Sequence, residues 1–126
     1  MASEYSQQYV PAMPVLSLTL GAPENASAGV TVTALLDSGA DICIVPRAYS
    51  SRLDLSTGEI VWIRGQWGEP LQVTRYALDV RLNNGVVLPS IDVVSDPVGR
   101  EVILGRNALN KLRLLLDGPR QMTEVL

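Results

Sequence analysis

From residue 13 onward the chain sets apolar side chains at every second position in one segment after another, the period of half-buried strands. "MPVLSLTL" (13–20) alternates in this way, and "GAPENASAG" (21–29) collects turn-forming residues into a loop. "VTVTALL" (30–36) is a strand entering a turn, and "ICIVP" (42–46) is a short buried strand stopped by Pro46. "EIVWIRGQWGEPLQVTRYALDVRL" (59–82) divides into two strands joined around Arg64 to Pro70, with two glycines and a tryptophan at the tip. "NNG" (83–85) is a hairpin turn of the Asn-Gly kind leading to the strand "VVLPSIDVVS" (86–95), and "EVILG" (101–105) is a further buried strand. Only "GRNALNKLRL" (105–114) has helical spacing, with Leu104, Ala108, Leu109 and Leu112 on one face. The chain then turns at Gly118–Pro119 and ends on "QMTEVL", a last candidate strand. These elements predict a mainly β, small, closed barrel-like domain with one short helix near its C-terminal end. It would occupy residues 13–118, after a flexible polar segment 1–12 and before a tail 119–126.

Length and composition narrow the chemistry. A chain of 126 residues with 47% hydrophobic and 18% charged residues folds as one domain rather than staying disordered. The net charge is −3 and the ten basic residues are scattered, which argues against nucleic acid. Arg47, Arg52, Arg64 and Arg75 fall on separate elements and read as solvated surface. With no histidine there is no Ser-His-Asp triad, no Cys-His pair and no histidine-ligated zinc. The one cysteine, Cys43, forms no intrachain disulfide and reads as a small buried hydrophobe. No apolar run reaches the roughly 18 to 20 residues of a membrane span, and the N-terminus has no signal-like region. The expected location is cytoplasmic, with no membrane partner and no cofactor.

Any acid–base chemistry must therefore come from carboxylates. "ALLDSGAD" (34–41) places Asp37 at a strand–turn apex behind apolar Leu35 and Leu36, at the edge of a low-dielectric region. Ser38 can fix the turn through its hydroxyl, and Gly39 lets another backbone approach. Alone, Asp-Ser-Gly-Ala is a weak pattern that many β-turns contain. The second signal is "EVILGRNALNKL" (101–112), where Arg106 opens a helix. A cation is disfavoured there by the helix dipole, so Arg106 is expected to serve a tertiary partner, most naturally a carboxylate.

The combination of "ALLDSGADICIVP" and "VILGRNAL" resembles the retropepsin family, the aspartic proteases of retroviruses and retroelements and their bacterial relatives. The resemblance covers roughly residues 13 to 118 and implies the closed, barrel-like acid-protease fold. It implies that Asp37 is the catalytic aspartate in an active-site loop with Ser38, Gly39 and Ala40. Ser38 would bond across a subunit interface, Gly39 would accept a hydrogen bond from substrate backbone, and Asp41 would bind the peptide further along. Arg106 would form a structural ion pair with Asp41, of its own chain or the partner's, with Asn107 following in the Gly-Arg-Asn motif. Gly65, Gln66, Trp67 and Gly68 would be the tip of a flap over the substrate. Three features depart from the family's pattern. Ser38 replaces the commoner threonine, bulky Trp67 stands in a less glycine-rich flap tip, and the tail "DGPRQMTEVL" is unlike the viral enzymes. The tail is nonetheless a candidate dimer-interface strand.

Such chemistry needs two carboxylates sharing a proton, because a pair held about 3 Å apart cannot both ionise. The chain offers one Asp-Ser-Gly; Asp54, Asp79, Asp92, Asp96 and Asp117 lack that context and read as surface or turn residues. A twofold homodimer is therefore expected to join Asp37 and its copy around an extended peptide. The first function is then an aspartic endopeptidase using water activated by that pair, with no metal. The alternative is a catalytically silent module of the same fold that dimerises or grips a peptide strand. A third case is a protease active only after its first dozen residues are trimmed. Outside these motifs, Trp62 reads as a half-buried strand residue, and Trp67 as either flap contact or packing.

Overall fold

The computed structural model describes residues 1–23, 29–55, 58–64 and 68–126. Its first long pair is β2 (Val15–Gly21) against β3 (Gly29–Leu36), antiparallel from Val15 opposite Leu35 to Gly21 opposite Gly29. Period-two alternation puts Leu16, Leu18 and Leu20 of β2, and Val30, Val32 and Ala34 of β3, into the core. Thr19 and Thr31 meet on the outer face.

The sheet continues through β8 (Val102–Leu104), β4 (Cys43–Pro46), β7 (Val87–Asp96) and β6 (Leu71–Leu82). It closes where β6 pairs β2, from Leu18 opposite Leu82 to Gly21 opposite Asp79. Six strands thus form a closed barrel, and Leu78, Val80, Leu82, Val93 and Leu104 complete its interior. Closure removes the exposed edges that an open sheet of this size would carry. β5 (Glu59–Ile63) stands outside the closed ring, paired only with β6 as a projecting hairpin arm. The expected turn at 83–85 joins β6 to β7: Gly85 has φ +89°, a conformation that favours glycine, and its N–H donates to the Leu82 carbonyl at 3.0 Å.

Among the described residues two short helices interrupt the strands. α1 (Arg47–Ser50), not expected from the pattern, follows Pro46 directly. α2 (Arg106–Leu109) is shorter than the helical spacing of 105–114 suggests. The apolar face is real, but it is carried by strand residue Leu104, by Ala108 and Leu109 in the helix, and by Leu112 in the turn after it. Leu114 then enters β9 (Leu114–Asp117), opposite Val125 of β10 (Met122–Val125). An isolated segment of this length nucleates helix poorly, so tertiary packing decides its end.

β9 and β10 form a second sheet with β1 (Ala2–Glu4), in the order β1-β10-β9. The leading segment 1–12 thus contributes a strand, and the C-terminal tail pairs with it inside the same chain. Tyr5 N donates to Gln121 O at 2.9 Å, and Ser6 bridges Met13, tying this sheet to the start of β2. No helix among the described residues is long and apolar enough to cross a membrane.

Candidate active site

Strand β3 leaves the barrel at Leu36, and parallel pairing with β8 sets Leu36 beside Leu104. The turn that follows is fixed at three points. Asp37 N donates to Leu104 O at 3.1 Å, Ala40 N donates to Asp37 O at 3.2 Å, and Gly39 N donates to Asp37 Oδ1 at 2.9 Å. Asp37 is half-buried, and the hydrogen bond from Gly39 to one carboxylate oxygen holds the side chain over its own turn. Leu36 N reaches back to Pro14 O at 3.2 Å, so the strand end is held on both sides.

The Gly105–Asn107 segment braces this loop from β8 and α2. Arg106 N donates to Ala40 O at 2.8 Å, its Nη1 donates to Ser38 O at 3.2 Å, and its Nη2 forms an ion pair with Asp41. That explains a cation in the first turn of α2: the Arg106 guanidinium answers the Asp41 carboxylate and the Ser38 carbonyl rather than the helix dipole. Asp41 is of the same chain, and its side chain is 85% exposed. An ion pair so open to water contributes little stability by itself, so its role is to position the loop. Asn107 ties three elements together. Its Oδ1 accepts from Cys43 N at 3.0 Å and Sγ at 3.2 Å, while its Nδ2 donates to Asp92 O at 2.8 Å. Cys43 is buried, as expected, and burial pushes its thiol pKa up, with hydrogen bonds from the Gly105 and Ala108 backbone acting the other way.

Beside the loop opens a cleft of about 470 Å³ that runs from Gly39, Ala40 and Asp41 to the β5 arm. Ile42, Ile44 and Val94 form one wall, and Trp62, Ile63 and Arg64 line it from the hairpin side. Of the residues singled out from sequence, Gly39, Ala40 and Asp41 border this cleft, and Asp37 and Ser38 belong to the same turn. Gly68 is exposed, whereas Gly65, Gln66 and Trp67 lie outside the described residues.

The apolar walls were not legible as site residues. "ICIV" reads as a uniformly buried strand, but only Cys43 and Val45 turn fully into the core. Ile42 and Ile44, on the other phase of the period, are half-exposed along the cleft, and that alternation was the available signal. Trp62 corrects another expectation: it is 67% exposed rather than half-buried, because β5 stands outside the closed ring. Three of the remaining aspartates bond backbone N–H groups through their carboxylates. Asp96 accepts from Val98 N and Gly99 N, Asp79 from Ser90 N, and Asp117 from Arg120 N.

An Asp-Ser-Gly turn braced by a Gly-Arg-Asn segment, on a closed six-stranded barrel with a hairpin arm beside a cleft, defines an acid-protease class of fold. The family model described as retroviral aspartyl protease matches residues 11–117, and the chain belongs to that family. Among solved structures, a retropepsin-like aspartic protease from Rickettsia conorii aligns over 98% of this chain and 86% of its own, with 12% identity and a TM-score of 0.66. EIAV protease complexed with the inhibitor HBY-793 aligns over 86% of this chain and 93% of its own, with 20% identity and a TM-score of 0.55. Identities this low establish the shared retropepsin fold and nothing finer. No curated protein sequence matches the chain.

Proposed function

We propose that two copies of this chain pair to form an aspartic endopeptidase in which Asp37 and its copy share one proton across the twofold axis. The observation that carries this reading is the Asp37 turn. A half-buried aspartate has its carboxylate held by the Gly39 N–H and its backbone N–H bonded to the Leu104 carbonyl, in a family of aspartic proteases, with one such turn in the chain. Two carboxylates about 3 Å apart hold one proton between them. The ionised member takes a proton from water, whose oxygen attacks the peptide carbonyl carbon while the protonated member donates a hydrogen bond to the carbonyl oxygen. Collapse of the tetrahedral intermediate breaks the C–N bond, and the departing amine leaves with a proton from the pair.

The rest of the loop serves that reaction. Ser38 ties the two loops together across the interface, and Ala40 keeps the loop wall small. Gly39 and Asp41 meet the backbone of an extended peptide, and Arg106 holds Asp41 in place. Gly65, Gln66, Trp67 and Gly68 contact the substrate.

The test is digestion of a denatured protein mixture by the parent and by Asp37→Asn, from about pH 4 to 7 where a shared-proton pair is poised. New termini are read by mass spectrometry. Cleavage by the parent and none by Asp37→Asn is the expected result. Cleavage retained in Asp37→Asn, or none from a demonstrably dimeric parent, overturns the proposal.

A further inference from the structure

The cleft has a chemistry of its own on the hairpin side. Trp62 of β5 and Arg64, the residue just past that strand's end, stand two positions apart and both line the cleft. The cross-strand partner of Trp62 is Gln72, and the indole remains 67% exposed, with apolar surface to offer an occupant. Arg64 is exposed and forms no ion pair among the described residues. Residues 65–67 are Gly, Gln and Trp, none of them charged. Opposite stand Ile42, Ile44 and Val94, and the one carboxylate lining the cleft, Asp41, is engaged by Arg106. The cleft is thus apolar with a single uncommitted positive charge.

We propose that Trp62 and Arg64 determine which peptides the cleft accepts. A large apolar side chain packs between the Trp62 indole and the Ile42, Ile44 and Val94 wall. An acidic side chain two positions along the same peptide pairs with Arg64, and lysine or arginine is disfavoured there. The spacing follows from geometry: residues i and i+2 of an extended peptide share a face about 6.8 Å apart, and Trp62 and Arg64 are themselves two positions apart along the arm that lines the cleft. This rests on the peptidase reading and names its substrate class. An exposed charge pair discriminates modestly, so the acid-over-lysine preference is about two- to fivefold.

The experiment uses dye-labelled octapeptides with a central leucine or alanine, carrying glutamate, glutamine or lysine two positions to either side. Their binding to full-length Asp37→Asn is measured by fluorescence anisotropy, so that no turnover intervenes. Leucine over alanine, and glutamate over glutamine over lysine on one side, are the expected orders. Adding Arg64→Glu inverts the charge order, and adding Trp62→Ala shrinks the leucine preference by about threefold. Both positions are exposed, so the variants should fold as the parent does. A charge order unmoved by Arg64→Glu, or no binding by any peptide, overturns the inference. If the parent still cleaves protein while the order is unmoved, only the inference falls. If the order inverts but the parent cleaves nothing, only the peptidase reading falls.

Discussion

At Gly105 a side chain would have nowhere to go. An added Cβ would lie 2.7 Å from the Ile42 backbone carbon and oxygen and 2.9 Å from the Ala40 carbonyl oxygen, and backbone does not yield as a flexible side chain does. Gly105→Ala is therefore expected to cost about 1 to 3 kcal/mol. Thermal unfolding would show this as a fall in Tm of roughly 4 to 12 °C for a domain of this size. Gly118→Ala is the control, since nothing lies within 4 Å of its added Cβ; its change should stay within about 0.5 kcal/mol. Asn107 makes a complementary case. Asn107→Ala strands the Cys43 N–H and the Asp92 carbonyl, and urea unfolding should register a loss of roughly 2 kcal/mol or more. Sequence spacing marked both residues as motif members, because Gly-Arg-Asn is written contiguously. It could not say that the glycine is required by the Ile42 backbone, a contact made across 63 positions of chain (105 − 42).

The strands were legible because period two survives wherever one face meets the core, as in β2 and β3. Three elements resisted for separate physical reasons. α1 is too short for a helical period to show. α2 borrows its apolar face from the strand before and the turn after, so its spacing overstates the helix. β5 alternates like a barrel strand yet has β6 as its single partner and leaves Ile60 and Trp62 exposed at 65% and 67%. Its one cross-strand ion pair among the described residues, Arg75 with Glu59, is solvent-exposed and adds little. An arm so thinly held opens by local fluctuation rather than by global unfolding. Hydrogen exchange followed by mass spectrometry should therefore find amides of 59–63 exchanging roughly a hundredfold or more faster than those of 30–36. Equal protection in the two segments would mean that the arm is held by contacts beyond β6.

At the scale of the molecule, barrel closure depends on a pairing that no local pattern announces, β2 with β6, and the candidate site depends on another, β3 parallel to β8. The second pairing brings Arg106 to Asp41 and Ser38, so residue patterns alone gave two separate pieces, and it was the family resemblance that joined Arg106 to Asp41. The twofold pairing proposed for activity lies one scale higher still and makes a quantitative demand. If each active site takes one Asp37 from each of two chains, parent and Asp37→Asn subunits unfolded and refolded together should mix at random. At equal amounts about a quarter of the dimers then carry both aspartates, and activity per parent chain falls to about half. At a ninefold excess of the variant it falls to roughly a tenth, because nearly every parent chain now faces an asparagine. A site complete within one chain would instead keep constant activity per parent chain at every ratio. The same preparations, diluted without the variant, should lose activity per chain as dimers dissociate, whereas a one-chain enzyme would be indifferent to concentration. Because the two trends have different origins, agreement between them would locate the second carboxylate in a second copy of this chain.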